Sequence, residues 1–291
     1  MNYNIRLTIT HSYERPAANG RHLIRVLPKS IAGRQQLSNH LLEVFPEAET
    51  RTDSVDFFGN RTTTCTHITP HDDMSIRLAC HVEMHPPPPW RDVSPDAETV
   101  CQQWQASRDL GPESPVHFLG PTLRLPPNAD IAAFARDLHD PSASAASTVI
   151  TIGQALYEKM AFDASATTVD TSAAEAFKIK RGVCQDFSHI MISALQALGI
   201  PAAYVSGYLR TLPPEGGVKL AGADAMHAWV RAWCGTEMGW IEYDPTNATL
   251  VSTDHIVVGY GRDYSDISPV SGHLRSSGSQ RNTQAVDVTL L

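Results

Sequence analysis

Residues 181–201 read Arg-Gly-Val-Cys-Gln-Asp-Phe-Ser-His-Ile-Met-Ile-Ser-Ala-Leu-Gln-Ala-Leu-Gly-Ile-Pro. From Cys184 onward the apolar residues recur every three or four positions, which predicts a helix with one buried face. Gly199 and Pro201 mark its end, because glycine is favoured just past a helix terminus and proline cannot continue the helix. A thiol at the start of such a helix feels the positive end of the helix dipole, which favours thiolate. His189 lies off the thiol's helical face, where we expect a packing role. A buried, inert thiol is the alternative interpretation of Cys184.

Two strand-like stretches further along the chain, residues 226–233 and 240–244, flank a turn-like segment and predict a hairpin. In the register centred on the middle of that segment, His227 lies directly opposite Asp244 on the same face of the sheet. A longer turn shifts the pairing by one or two residues. Asp244 then holds one imidazole nitrogen and leaves the other for a thiol. We therefore predict a catalytic triad of Cys184, His227 and Asp244. A histidine–aspartate hydrogen bond that only stiffens the hairpin is the alternative.

The two parts of the chain differ in pattern. Residues 1–85 contain short alternating stretches between turn signals, which predicts an all-β region without a catalytic constellation. The stiff run Pro86–Pro89 interrupts any helix or central strand, and we place a domain boundary beside it. Beyond the run, alanine-rich helical stretches are followed by strands. We therefore predict an α+β chain with a β-rich domain at 1–88, a catalytic domain at 89–270 and a flexible tail at 271–291.

Composition excludes several functional classes. The 291 residues include 23 lysines and arginines against 31 aspartates and glutamates, giving a net charge of −8. An acidic chain without a long basic run is a poor binder of nucleic acid or of anionic membranes. No apolar run is long enough to span a bilayer, and the N-terminus lacks the apolar region of a signal peptide. Five widely spaced cysteines without a CxxC pair argue against a disulfide framework. We therefore predict a cytoplasmic protein.

Cofactor and metal motifs are weak in this sequence. His81, Glu83 and His85 alternate and offer metal-ligating side chains on one strand face. We interpret them as surface residues, because they abut the proline run and have no evident fourth ligand. No P-loop, dinucleotide fingerprint or EF-hand loop is present. We therefore expect neither a metal nor a cofactor.

Three blocks of the sequence resemble those of the transglutaminase-like superfamily, and in particular its bacterial cysteine-protease branch. Each block holds one residue of the predicted triad; the blocks are residues 181–187, 225–230 and 239–247. Residues 11–16, 25–28 and 56–61 resemble the β-rich N-terminal region of this branch, and residues 261–266 resemble the block that closes it. The resemblance implies an N-terminal β-sandwich-like domain followed by a papain-like catalytic domain. In that domain the helix bearing the cysteine packs on an antiparallel sheet.

The resemblance also implies acyl transfer through a thioester, with Cys184 as nucleophile, His227 as base and Asp244 as orienting acid. We favour a cysteine protease or amidase that cleaves a peptide, protein or other amide substrate, because water is always present and no acidic amine-binding site is evident. Transfer to an amine, as in a transglutaminase, is the first alternative. A catalytically silent papain-like binding scaffold is the second.

The remaining parts of the predicted site follow from the chemistry. A developing oxyanion needs hydrogen-bond donors, and the backbone N–H of Cys184 is the expected first one. Gln185 and Trp240 are the candidates for the second donor, and Trp229 is expected with them in the substrate cleft. We expect residues 215–222, which precede the histidine, to form part of the cleft wall.

Overall fold

A computed structural model describes residues 1–211 and 224–291 of the protein. The strands are β1 (Asn2–Ile24), β2 (Gln35–Phe45), β3 (Thr50–Val55), β4 (Arg61–His67), β5 (His71–Met84), β6 (Ala161–Phe162), β7 (Arg181–Gly182), β8 (Ala202–Leu209), β9 (Ala225–Trp233), β10 (Trp240–Asp244), β11 (Thr249–Leu250), β12 (His255–Gly261), β13 (Val270–Arg275) and β14 (Gln280–Leu290). The helices are α1 (Ala97–Ala106), α2 (Ala129–Leu138), α3 (Ala145–Lys159), α4 (Ala173–Ile179), α5 (Cys184–Ala197) and α6 (Tyr264–Ile267), with a 3₁₀ turn at Pro115–Phe118. Within these residues no helix is long and apolar enough to cross a bilayer.

The N-terminal half is a curled antiparallel sheet built around the long strand β1. Its alternating pattern buries Tyr3, Ile5 and Leu7 on one face, as a period of two requires. The first part of β1 lies between β5 and β14, and the second part lies between β4 and β13. The pairing with β5 shifts register between Ser12 and Ala17, and such irregularities let a strand bend from one sheet direction into another. The prediction of a β-rich N-terminal region is confirmed.

The C-terminal residues differ from the predicted flexible tail at 271–291. β14 pairs with β1 along its whole length, and β13 pairs with the second part of β1. Val286 and Val288 are fully buried in the N-terminal core. The alternation of residues 285–289 is a strand signal, which the serine- and glycine-rich turn before β14 obscures. Both ends of the chain therefore build the N-terminal sheet, which is not confined to residues 1–88.

The second sheet is antiparallel, in the order β11-β10-β9-β8-β12. Helix α5 packs on β8 and β9, and residues such as Ile190, Met191 and Leu195 are fully buried in that interface. The helix ends as its sequence predicts, with Gly199 at a positive φ of 76° just beyond it. The cysteine-bearing helix on an antiparallel sheet is thus present, as expected.

Two side-chain amides of the N-terminal region join the two sheets, because they hydrogen-bond to the backbone of β12 as a neighbouring strand would. The Gln35 amide donates to the Val257 carbonyl (2.7 Å) and accepts from the Val257 N–H (2.8 Å). The Asn60 amide does the same with the backbone of Tyr260, at 2.7 and 2.9 Å. Both amides are buried, and they satisfy backbone groups at the edge of β12, where the Val257 carbonyl also accepts the Lys29 N–H (3.0 Å). The β-rich sheet therefore covers the edge of the sheet that carries the candidate site.

Candidate active site

Cys184 is the first residue of α5, and the turn before it is fixed by hydrogen bonds. The Val183 N–H donates to the Asp186 carboxylate (2.8 Å), which also accepts from the Thr167 hydroxyl (2.7 Å). Burial raises the pKa of Asp186, although both hydrogen bonds oppose the shift. Gly182 leaves room for this carboxylate, which a Cβ atom at residue 182 would strike. The partly exposed Cys184 thiol is therefore held at a defined point of the surface.

His227 on β9 links Cys184 to Asp244. Its Nε2 atom lies 2.7 Å from Asp244 Oδ2, and its side chain lies close enough to Cys184 for the thiol to raise its pKa. Since Nε2 donates its hydrogen to the Asp244 carboxylate, Nδ1 is the nitrogen available to the thiol. Burial alone would lower the pKa of His227, but the charge interaction with Cys184 and the hydrogen bond and charge of Asp244 raise it. The surroundings of His227 thus favour the imidazolium form.

The register of the β9–β10 hairpin differs from the predicted one by two residues. Trp240 pairs with Trp233 and Tyr243 with Val230, so His227 and Asp244 are diagonal neighbours and not directly opposite. The hairpin centre lies one residue further along the chain than predicted. Diagonal neighbours still share a face and lie within reach of a long or aromatic side chain. The prediction of a shared face is confirmed, and the prediction of direct opposition is wrong.

Asp244, fully buried at the end of β10, accepts five hydrogen bonds. Its Oδ2 atom accepts from His227 Nε2, from His255 Nε2 (3.1 Å) and from Asn247 Nδ2 (2.6 Å). Its Oδ1 atom accepts from the backbone N–H groups of Thr246 (2.9 Å) and Asn247 (3.3 Å). Burial would raise the pKa of Asp244, but these donors hold it well below its usual range. Asp244 is therefore a fixed negative charge behind the imidazole.

His255 and Asn247 are site residues that the sequence-based prediction missed. Asn247 has a local signal, because the Asp-Pro-Thr-Asn segment suits an Asx turn in which the chain folds back on the aspartate. His255 has no local sequence signal, because it lies on β12 and only the fold brings it close to Asp244. The Ser252 N–H approaches His255 Nδ1 (3.4 Å), which leaves the Nε2–H to donate to Asp244.

The ligand-type atoms of His227, Asp244 and His255 all lie within 4.8 Å of one another. Three donors, including Asn247, already converge on Asp244 Oδ2. A cation at this oxygen would have to displace those hydrogens. We therefore interpret the group as a hydrogen-bonded carboxylate.

Gln185 and Trp240, the predicted second oxyanion donors, have other partners. The Gln185 amide donates to the Val169 carbonyl (3.2 Å), and the Trp240 indole donates to the Glu113 carbonyl (3.1 Å). Trp240 also lines a cavity of about 620 Å³ whose lining does not include Cys184. The single indole N–H of Trp240 and one amide N–H of Gln185 thus have partners other than an oxyanion, and the assignment of the second donor stays a prediction.

Trp229 is fully buried beside the two histidines of the site. Its ring centroid lies 6.1 Å from that of His227 and 5.3 Å from that of His255. The indole N–H donates to Glu242 (2.6 Å), and Glu242 also binds Arg34 with both carboxylate oxygens. Trp229 thus supports the imidazoles from inside the sheet and does not line an open cleft.

Two tyrosines, Tyr204 and Tyr264, lie near Cys184. Burial raises the pKa of both Tyr204 and Tyr264, and the nearby charge of Cys184 adds to each shift. His189 packs on Tyr204, with centroids 5.2 Å apart, and accepts the Tyr264 N–H at Nε2 (3.2 Å). The packing role expected for His189 is confirmed. The stretch 215–222, expected in the cleft wall, lies outside the described residues.

Comparisons with known proteins agree with this architecture. The model of the transglutaminase-like superfamily matches residues 132–245, and that of the bacterial transglutaminase-like N-terminal region matches residues 3–83. An uncharacterized protein of Mycobacterium tuberculosis H37Rv is 33% identical over 99% of this chain and 88% of its own length. One of Mycobacterium leprae is 31% identical over 98% and 99% of the two chains. A crystal structure described as "a Putative Cysteine Protease from Cytophaga hutchinsonii" superposes with a TM-score of 0.75 at 22% identity, covering 99% and 90%.

A helix-borne cysteine beside a histidine–aspartate pair on an antiparallel sheet defines the general class of the protein. The two matching family models and the mycobacterial relatives identify the family. The chain belongs to the transglutaminase-like superfamily and carries the bacterial N-terminal region of that superfamily.

Proposed function

We propose that the protein is a thiol hydrolase that cleaves a peptide or other amide bond through a thioester on Cys184. One observation carries this proposal: His227 is hydrogen-bonded to the buried Asp244 and lies close enough to Cys184 for the thiol to raise its pKa. That arrangement is the nucleophile–base–orienting-acid sequence of covalent acyl transfer.

The reaction follows from the positions of the three side chains. The Cys184 sulfur attacks the carbonyl carbon while His227 carries the proton, and the tetrahedral intermediate collapses to a thioester as His227 protonates the leaving amine. Water then attacks the thioester, with His227 accepting its proton, and the acid product leaves. The backbone N–H of Cys184, at the start of α5, is the donor we assign to the developing oxyanion. Asp244 remains ionised throughout and holds the imidazole in one orientation.

We also propose that the protein works in the cytoplasm. All five cysteines are free thiols in the structure, which suits a reducing compartment.

The first test needs no substrate. We would follow iodoacetamide alkylation by mass spectrometry from about pH 5 to pH 9 in the native protein and in His227→Ala. Cys101, the other partly exposed cysteine, serves as the internal reference. We expect Cys184 to react at least about tenfold faster than Cys101 near pH 6, because an imidazolium partner favours the thiolate. The advantage should disappear in His227→Ala.

The second test concerns amide hydrolysis. We would screen fluorogenic peptide and amide substrates with the native protein and with Cys184→Ala as the control. Rapid alkylation together with Cys184-dependent release of the fluorophore supports the proposal. Equal alkylation of Cys184 and Cys101 in the native protein would overturn it and favour the binding-scaffold alternative.

A further inference from the structure

Four histidines gather in the N-terminal sheet, away from the candidate active site. His11 and His22 belong to β1, His67 ends β4 and His71 begins β5. The ring centroids of His22 and His67 are 5.8 Å apart, and those of His67 and His71 are 5.3 Å apart. His22 and His67 are buried, with 5% and 1% of their surfaces exposed, and the other two are half-buried.

The hydrogen bonds of three of these imidazoles determine which nitrogen carries the proton. His67 Nε2 lies 3.0 Å from the Pro46 carbonyl oxygen, and His71 Nδ1 lies 3.0 Å from the Thr69 carbonyl oxygen. A carbonyl oxygen can only accept, so the hydrogen is on each of these nitrogens. His11 Nδ1 is placed in the same way against Asn282 Oδ1 (2.7 Å).

The opposite nitrogen of each ring is consequently a bare acceptor. His11 Nε2, His67 Nδ1 and His71 Nε2 are all buried atoms without a hydrogen-bond partner, as is His22 Nδ1. An unsatisfied buried polar atom costs about 1–3 kcal/mol, and several in one place call for an explanation. An imidazole that donates one N–H to an oxygen and offers its other nitrogen is the usual form of a metal-bound histidine.

The charge state of the cluster suits a metal ligand as well. Burial lowers the pKa of His11, and burial with the neighbouring imidazoles lowers that of His22 to about 4. Neutral imidazoles are required for coordination. An all-imidazole donor set suits zinc, copper or nickel, and it does not suit magnesium or calcium, which prefer oxygen.

We propose that His11, His22, His67 and His71 form a binding site for one divalent transition-metal ion, with zinc as the expected ion. Two imidazoles on one tetrahedral zinc ion, with Zn–N bonds of about 2.0–2.1 Å, have ring centroids about 5 Å apart, close to the observed separations. As the rings stand, His227, Asp244 and His255 are the one group of three described side chains whose ligand atoms lie within 4.8 Å of one another. Binding therefore requires the bare nitrogens to approach a common point while His11, His67 and His71 keep the hydrogen bonds that fix their tautomers. The ion would then tie β1, β4 and β5 together.

The test titrates the full chain, freed of metal by a chelator, with Zn²⁺ in a calorimeter and with Co²⁺ in a spectrophotometer. Every protein carries Cys184→Ala, which removes the thiol as a competing ligand, and His227, Asp244 and His255 are the same in every protein compared. The test variant is His67→Gln with His71→Gln. The matched control is His40→Gln with His85→Gln, which changes two exposed histidines of the same N-terminal region.

We expect one ion per chain in the parent and in the control, and binding at least about tenfold weaker in the test variant. Zn²⁺ should raise the Tm of the parent and not that of the test variant. Absence of saturable binding in the parent, or equal binding in the test variant, would overturn the proposal and leave water as the partner of these nitrogens. Far-UV circular dichroism precedes each titration. If the double variant is unfolded, His71→Gln alone, at a half-buried position, decides the question in the same way.

Discussion

His227 is the residue on which the candidate chemistry depends, because it lies between Asp244 and Cys184. Asp244 is kept ionised and held in place by five hydrogen-bond donors, whereas Cys184 is partly exposed. The imidazole is therefore held by Asp244 at Nε2, and its Nδ1 is available to the thiol. A fixed charge and a fixed tautomer are what a general base needs before substrate arrives.

Replacing Asp244 by asparagine should remove that charge while nearly keeping the shape of the side chain. We expect hydrolysis to fall by about 10⁴-fold, as for a triad whose orienting carboxylate is lost, and the fast alkylation of Cys184 near pH 6 to be lost with it. Asp254→Asn is the control, because Asp254 accepts from Tyr3 and Arg210 and not from the candidate triad. Unchanged alkylation in Asp244→Asn would show that the carboxylate has only a structural role.

His255 should matter less, because it supplies one of three donors to Asp244 Oδ2. We expect His255→Leu to lower the free energy of unfolding by about 1–3 kcal/mol, the usual value for a hydrogen bond to a charged group. Activity should fall by about tenfold, far less than in Asp244→Asn. His255→Gln can still donate an N–H and should recover part of both losses. Chemical denaturation and the alkylation rate measure the two effects, and identical behaviour of the two variants would contradict the assignment.

At the scale of elements, α5 connects the thiol to the short helix α6, which follows β12. His189, in the first half of α5, accepts the Tyr264 N–H through its bare Nε2. Burial is the largest influence on His189 and lowers its pKa to about 4, although Asp263 opposes the shift. A neutral His189 is therefore part of what holds Tyr264 beside Cys184.

This lowered pKa predicts a pH dependence of stability. Between about pH 6.5 and pH 4 the unfolded chain binds a proton at residue 189 that the folded chain does not. The contribution of His189 is thus complete above about pH 6.5 and is lost as the pH falls, by up to about 1.4 kcal/mol per pH unit. We would measure urea unfolding at several pH values for the native protein, His189→Gln and the exposed control His85→Gln. The difference between native and His189→Gln should shrink toward low pH, and parallel profiles would refute the assignment.

The elements with local signals were the predictable ones. The three- to four-residue periodicity after Cys184 predicts α5, and the strands around the turn predict the β9–β10 hairpin. The register was wrong by two residues, because nothing in the sequence sets the turn centre to within one residue. Gln35, Asn60 and His255 had no signal, since each acts on backbone or side chains that only the fold brings near. The strand β14 was missed because its partner, β1, lies at the other end of the chain.

At the scale of the whole molecule, the N-terminal sheet and the candidate site are not independent. Tyr208, Ile256 and Val258 of the second sheet pack in the same core as the N-terminal strands. The amides of Gln35 and Asn60 complete the edge of β12, the strand that carries His255. Loss of the N-terminal sheet should therefore disturb the site by uncovering β12, even though that sheet contributes no residue of the candidate triad.

Removing or altering the strand β14 tests whether the candidate site depends on the N-terminal sheet. Deleting residues 280–291 removes the buried side chains of Val286 and Val288 and all pairing partners on one side of the first half of β1. At about 1.5–3 kcal/mol for each buried valine, we expect the free energy of unfolding to fall by about 3–6 kcal/mol, with a lower Tm and faster proteolysis of the N-terminal half. Val288→Ala should cost about 1.5–3 kcal/mol in the same assay.

Thr289→Ala is the matched control, because residue 289 is exposed on the same strand and its truncation should change stability by less than about 0.5 kcal/mol. A loosely attached tail would make all three changes neutral, and that result would contradict the closure of the sheet by both chain ends. If the deletion also slows alkylation of Cys184 under conditions where the protein remains folded, the structure offers two routes to the thiol. β14 itself pairs with Asp224, next to the strand β9 that carries His227. The other route passes through the N-terminal core and β12. Those elements connect β1 to His255 and Asp244.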